Sequence, residues 1–217
     1  VNQNKLGKLE IRTRLFGRYG TGNNIPYESA LWLSGANPEE LMDNKYTRTL
    51  GFVPDGWSDV TGNETNHFQM GGGLNLRGYA GYFIADERNG NVLIGYKGRS
   101  GASVSAEVDF DEYIKFKPKY VRDYLHLDAY LFTDAGAIEL SSASLAQYWI
   151  TAPTTMWSDI RVDAGVGFAL TIKKWGWFDK AKPLTLRFDM PIFLNRPPAA
   201  NPEYVAFRYQ VGINRTF

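Results

Sequence analysis

The chain has 217 residues, no cysteine and a formal net charge of +1, a length for one domain of ordinary size. Without cysteine there is no disulfide framework and no thiol-based nucleophile or metal site, and a near-neutral balance gives no basic field for nucleic acid. Only two histidines occur, His67 and His126, and no His-Glu-x-x-His, whereas aromatic residues are plentiful at 13 Tyr, 13 Phe and 6 Trp.

No run of eighteen apolar residues is present, so no transmembrane helix is expected; barrel strands need only about 9–11 residues of alternating pattern. The chain opens on Val1-Asn2-Gln3-Asn4, with neither Met nor a signal-peptide pattern, and is expected to be a processed or partial product lacking its upstream part.

The first clear element runs from Lys8 to Tyr19. Leu9, Ile11 and Leu15 fall on one face, and Glu10, Arg12, Arg14 and Arg18 on the other, a period of two and hence a strand. Residues 21 to 101 form one long stretch rich in Gly, Asn, Asp and Pro, interrupted by the apolar runs Ala30-Leu31-Trp32-Leu33 and Val92-Leu93-Ile94. Loops of this length are functional or disordered, and the two runs are expected to be minor strands or a lid-like hairpin.

Five strands are expected after it, at 102–112, 124–134, 160–172, 184–192 and 204–216. Val104, Ala106, Val108 and Phe110 alternate with Ser105, Glu107, Asp109 and Asp111; Leu125, Leu127, Ala129 and Leu131 alternate with His126, Asp128, Tyr130 and Phe132. From Ile160 to Ile172 every even position is apolar, against Arg161, Asp163, Gly165, Gly167, Ala169 and Thr171. Leu184, Leu186, Phe188, Met190 and Ile192 alternate with Thr185, Arg187 and Asp189, and Val205, Phe207, Tyr209, Val211 and Ile213 with Arg208 and Gln210.

In a water-soluble sheet the apolar face is a core and the polar face meets solvent, and the alternation alone fits that arrangement. Three features favour a transmembrane antiparallel β-barrel with its apolar face to lipid. The strands are long against a usual mode of about 5–6 residues. Compact connections at Tyr113–Arg122 and Trp175–Lys182 alternate with extended ones at 21–101 and 139–158, as periplasmic turns alternate with outer loops. Charges also sit singly in nearly every polar row, as in a lumen.

Within the long segment lies Gly71-Gly72-Gly73-Leu74-Asn75-Leu76-Arg77-Gly78-Tyr79, whose glycines permit backbone that a Cβ disfavours and present an arginine on a corner. Leu76-Arg77-Gly78-Tyr79 resembles the V/L-R-G-F/Y motif of the outer-membrane-protein-85 superfamily, which includes BamA, TamA and the two-partner secretion transporters. Phe132-Thr133-Asp134-Ala135-Gly136 is similar to that superfamily's F-x-D-x-G motif. Phe217, with Tyr209, Val211 and Ile213 at matching parity, resembles its C-terminal insertion signal, except that Arg215 stands where an apolar residue is usual. The resemblance covers roughly residues 8–217 and implies the last six strands of a sixteen-stranded barrel, with residues 21–101 as a loop folded into the lumen. It also implies that Asp134 meets the loop arginine and that Glu107 is a second acidic partner.

Parity supports the arginine site independently. Glu107 shares a face with Asp109, and Asp134 with Asp128 and His126, so adjacent lumen faces carry carboxylates that need a cation if buried. A guanidinium bridges two carboxylates through a fork of donors that lysine lacks. Arg77 is the candidate and Arg161 the competitor; the alternative is that these acids are hydrated in a wet lumen. His126 and Asp128 at i, i+2 have no third ligand for a metal. Gly165 and Gly167 are expected to leave room for an inserted loop or for strand curvature. Trp157, Trp175, Trp177 and Phe178 read as interfacial girdle, and Lys173, Lys174, Lys180 and Lys182 as solvated turn charges.

No nucleophile elbow, phosphate loop or zinc motif is present, so neither an enzymatic activity nor a cofactor is expected in this chain. The resemblance implies assembly or translocation of client or secreted polypeptides at the outer membrane of a Gram-negative bacterium. Outer-membrane lipid would be one partner, and the barrel-assembly machinery another during insertion. The alternatives are an anchor for a missing N-terminal enzymatic domain of peptidase or lipase type, and a plugged porin.

Overall fold

The period-two alternation becomes an antiparallel sheet. A computed structural model describes residues 2–22, 24–26, 30–35, 73–80, 82, 84–110, 113, 124–142, 149–151, 153–173, 183–199 and 201–213. In chain order the strands among the described residues are β1 (Asn2–Leu6), β2 (Leu9–Arg18), β3 (Asn24–Pro26), β4 (Leu31–Trp32), β5 (Ala85–Arg88), β6 (Asn91–Ile94), β7 (Lys97–Gly98), β8 (Gly101–Asp109), β9 (Leu125–Ser142), β10 (Trp149–Thr151), β11 (Pro153–Trp157), β12 (Arg161–Ile172), β13 (Leu184–Leu194) and β14 (Gln210–Ile213), with a 3-10 turn at Arg77–Tyr79. The fold is all-β, and among the described residues no helix is long and apolar enough to cross a membrane.

The main sheet runs β1-β2-β8-β9-β12-β13-β14, every neighbour antiparallel. β9 is its spine, with 18 residues. It pairs with β8 on one side and β12 on the other, and its last residues run on to meet β6 through Ile94↔Ser141 and β11 through Trp157↔Glu139. The apolar runs of the long segment supply β4 and β6. β4 pairs with β7, and the chain from Gly73 to Leu76 lies beside it, Leu74 N–H donating to Trp32 C=O (2.8 Å) and Leu76 N–H to Leu33 C=O (3.1 Å).

Several boundaries differ from the sequence reading. β1 was not anticipated: it folds back on β2 through Gly7, whose φ of +67° suits a two-residue hairpin. β9 extends eight residues past 134, because its far end gains partners that the local pattern does not reveal. Of the strand expected over 204–216, the ladder among the described residues covers Gln210–Ile213, preceded by an isolated bridge between Val205 and Phe193, and 214–216 lie outside the described residues. His67, Gly71, Gly72, most of both compact connections, Lys174, Trp175, Trp177, Phe178, Lys180, Lys182, Arg215 and Phe217 lie outside the described residues.

The two faces of the sheet have inverted polarity. One face is open and apolar: Leu15 is 79% exposed, Ile160 65%, Leu131 50% and Phe168 39%. The other is covered by residues from 30–35, 73–80, 82 and 84 and holds the charged side chains, with Asp134, Asp163 and Asp189 fully buried. The covering segments bring their own apolar cluster, in which Leu31, Leu33, Leu74, Leu76, Tyr79, Tyr82 and Ile84 pack with Ile138 and Leu194 of the sheet. Burial of this kind supplies the favourable term that seats the segment.

Candidate functional site

The register places carboxylates side by side on the covered face. Ser105, Asp134 and Asp163 form one cross-strand row over β8, β9 and β12, and Glu107, Phe132 and Gly165 the next. Like charges directly opposite one another destabilise a sheet, so the Asp134–Asp163 pair needs donors from elsewhere. The 3-10 turn Arg77–Tyr79 brings them.

Arg77 is fully buried against these rows. Its Nε donates to Asp134 Oδ2 at 2.7 Å, Nη2 to Asp134 Oδ1 at 3.0 Å and Nη1 to Glu107 Oε1 at 2.6 Å. The guanidinium thus makes a two-pronged contact with one carboxylate and a single one with another, on separate strands, as only its planar fork allows. Its underside stacks on Phe132, 3.8 Å from Cζ to the ring centre, a cation–π contact in a desolvated setting. Asp189 Oδ1 lies 3.9 Å from Nη1, an ion-pair distance beyond hydrogen bonding.

The other motif residues act through backbone and packing. Gly78 N–H donates to Asp163 Oδ2 at 2.9 Å. Tyr79 O–H donates to Asn195 Oδ1 at 3.1 Å, and burial pushes its phenol up to about 12, so it remains protonated at any physiological pH. Leu76 belongs to the apolar cluster and sits over Gly136, where an added Cβ would lie 2.9 Å from Leu76 Cδ1. Asn75 holds the approach to the turn in a left-handed conformation at φ 63°, which asparagine tolerates better than most residues.

Sequence reasoning named Arg77, Glu107 and Asp134, and the structure brings all three into one cluster. Asp163 and Asp189 it placed only in the polar rows of their strands. Their parity was readable, but that Asp163 stands opposite Asp134 is a matter of register. The competitor Arg161 is engaged elsewhere: its Nη2 pairs with Asp86 Oδ1 of β5 at 2.5 Å, and its Cζ lies 5.5 Å from the Tyr79 ring centre.

His126 Nε2 is 2.7 Å from Asp128 Oδ1, in a polar cavity of about 250 Å³ by the β1–β2 turn that Lys5, Lys8, Arg12 and Asp109 help to line. No group of three potential metal ligands occurs among the described residues. Of the C-terminal residues, Tyr209 is exposed and stacks on Phe188 at 6.0 Å between ring centres, and Val211 and Ile213 pair with Phe188 and Leu186 in the ladder. Comparison of the chain with family models, curated proteins and solved structures gave no match.

Proposed function

We propose that this chain is the C-terminal part of a bacterial outer-membrane β-barrel of the outer-membrane-protein-85 type, acting in assembly or translocation of polypeptides. In this reading the segment carrying Arg77 is a plug latched inside the lumen. The observation that carries it is the inverted sheet, apolar where exposed and charged where buried. In water an exposed apolar face of this extent would be an aggregation liability. In lipid it is the arrangement a barrel requires. From Leu125 to Ala137 the open face of β9 carries Leu, Ala and Thr; at about 3.3 Å per residue and a tilt near 40° this spans about 30 Å, a hydrocarbon thickness. A passive pore is disfavoured, because Leu31, Leu33, Leu74 and Leu76 build an apolar cluster where a channel would run.

The latch is testable by thiol labelling, with no cysteine in this chain to compete. Ala80 ends the turn and is 5% exposed, so a thiol from Ala80→Cys reacts with a maleimide only when the turn leaves its seat. In membranes holding the full protein, Arg77→Ala should speed labelling about a hundredfold or more, since breaking a buried ion pair costs about 3–5 kcal/mol. Arg77→Lys should recover little of that difference. Cells relying on Arg77→Ala should insert the protein yet assemble or secrete its clients poorly. Equal labelling rates together with undiminished client assembly would sink the proposal.

A further inference from the structure

Behind the Arg77 contacts lies a second tier that the motif does not contain. Tyr130 is on β9 and Asp189 on β13, with β12 between them. They meet because Gly167 of β12 stands opposite both. An added Cβ at Gly167 would lie 2.3 Å from Tyr130 Cε2 and Cζ and 2.6 Å from Asp189 Oδ1. The missing side chain is therefore a passage through which the phenol crosses a strand.

Through that passage Tyr130 O–H donates to Asp189 Oδ1 at 2.5 Å, with both residues fully buried. On its other side Asp189 Oδ2 forms an ion pair with Arg187 Nε at 2.9 Å. Arg187 has its own vacancy, since an added Cβ at Gly212 of β14 would stand 2.9 Å from Arg187 Nη2. Asp189 is thus held from two directions, and the oxygen that Tyr130 holds is the one 3.9 Å from Arg77 Nη1.

We infer that Tyr130 is a positioning residue for the Arg77 latch: through Gly167 it fixes the Asp189 carboxylate as a third negative arm facing the guanidinium. The assignment rests on the latch reading above. Glu107 and Asp134 bind Arg77 by hydrogen bonds, whereas Asp189 acts across a short gap in a water-poor space, where such a charge is weakly screened. Without the phenol, Asp189 turns towards Arg187 and its attraction for Arg77 falls. The turn would then keep its hydrogen bonds to β8, β9 and β12 and its packing on Leu194 of β13, but lose the charge attraction that reaches it from β13.

The experiment reads maleimide labelling of the Ala80→Cys thiol in membranes holding the full protein. Tyr130→Phe removes one oxygen and keeps the ring; Gly167→Ala blocks the passage. Each is measured with Arg77 intact and with Arg77→Ala. With Arg77 intact, Tyr130→Phe should label roughly threefold to tenfold faster, a part of what one charge-assisted hydrogen bond is worth. Gly167→Ala should do at least as much. In the Arg77→Ala background neither should add anything, because no guanidinium remains for Asp189 to act on. A Tyr130→Phe rate equal to wild type, or raised by the same factor in both backgrounds, overturns the assignment and leaves the latch standing. If Arg77→Ala alone does not change the rate, latch and assignment fall together.

Discussion

Gly78 shows how tightly the residue scale is set at this site. Its φ is not in the left-handed region, so glycine is there for space alone: an added Cβ would meet Leu194 Cδ2 at 2.3 Å and Asp163 Cβ at 2.6 Å. Both partners are buried strand residues with little freedom to withdraw. Gly78→Ala should lift the turn from the sheet, lengthen the Gly78 N–H bond to Asp163 and destabilise the protein by about 1–3 kcal/mol, the usual range for overpacking. Urea unfolding in lipid vesicles measures this, and a wild-type midpoint would show that the turn has slack. A three-glycine run before an arginine was visible in the sequence as a corner, but which glycine is required was not. Gly73, by contrast, lies against Gly35, where its Cβ would come within 2.3 Å of Gly35 Cα, a contact between residues far apart in the chain.

At the scale of elements, what was legible followed local pattern and what was missed followed partners. β2, β8, β12 and β13 announce themselves by alternation over their own length. β1, with the sequence Asn-Gln-Asn-Lys-Leu, carries no such pattern and is a strand only because β2 lies beside it. The β5–β6 hairpin turns on Asn89-Gly90, at φ 53° and 76°, a pair suited to a tight turn and readable in advance. Its position against β9 was not readable.

An ionic clasp holds that hairpin. Arg88 Nη2 is 2.8 Å from Asp159 Oδ2, and Arg196 Nη1 is 2.9 Å from the same oxygen. The hydrogen bond from Arg88, followed by the charge of Arg196, holds the Asp159 carboxyl below its usual 3.8. A carboxyl lowered on folding stabilises the folded state above its unfolded value, and that contribution is lost as pH falls through the lowered value. The hairpin should therefore stay docked at neutral pH and loosen below about pH 4, by a small margin because the clasp is solvent-exposed. Hydrogen exchange of the Val92–Ile94 amides reads this, and Asp159→Asn should abolish the acid dependence. A dependence unchanged in that variant would mean that other carboxyls carry it.

For the whole molecule the decisive matter is what surrounds the open face, and depth along β9 separates the answers. Leu131 is midway between Leu125 and Ala137, and its side chain is on the exposed face. If lipid covers that face, Leu131→Arg places a guanidinium near the bilayer midplane and should destabilise the barrel by about 2–4 kcal/mol. Leu125→Arg, near the strand's end, should cost about 0–1 kcal/mol, because its charge reaches the interface. If water covers the face, both are exposed-surface changes with effects within about 0.5 kcal/mol, and neither depends on depth. The two variants change the same residue type on the same strand, so differences in strand propensity largely cancel. Reversible unfolding in vesicles of defined thickness measures the pair. A thinner bilayer should shrink the Leu131→Arg penalty, since the charge then lies closer to the headgroups. Equal, small effects from both variants would end the membrane reading, and with it the proposal that the Arg77 turn closes a lumen.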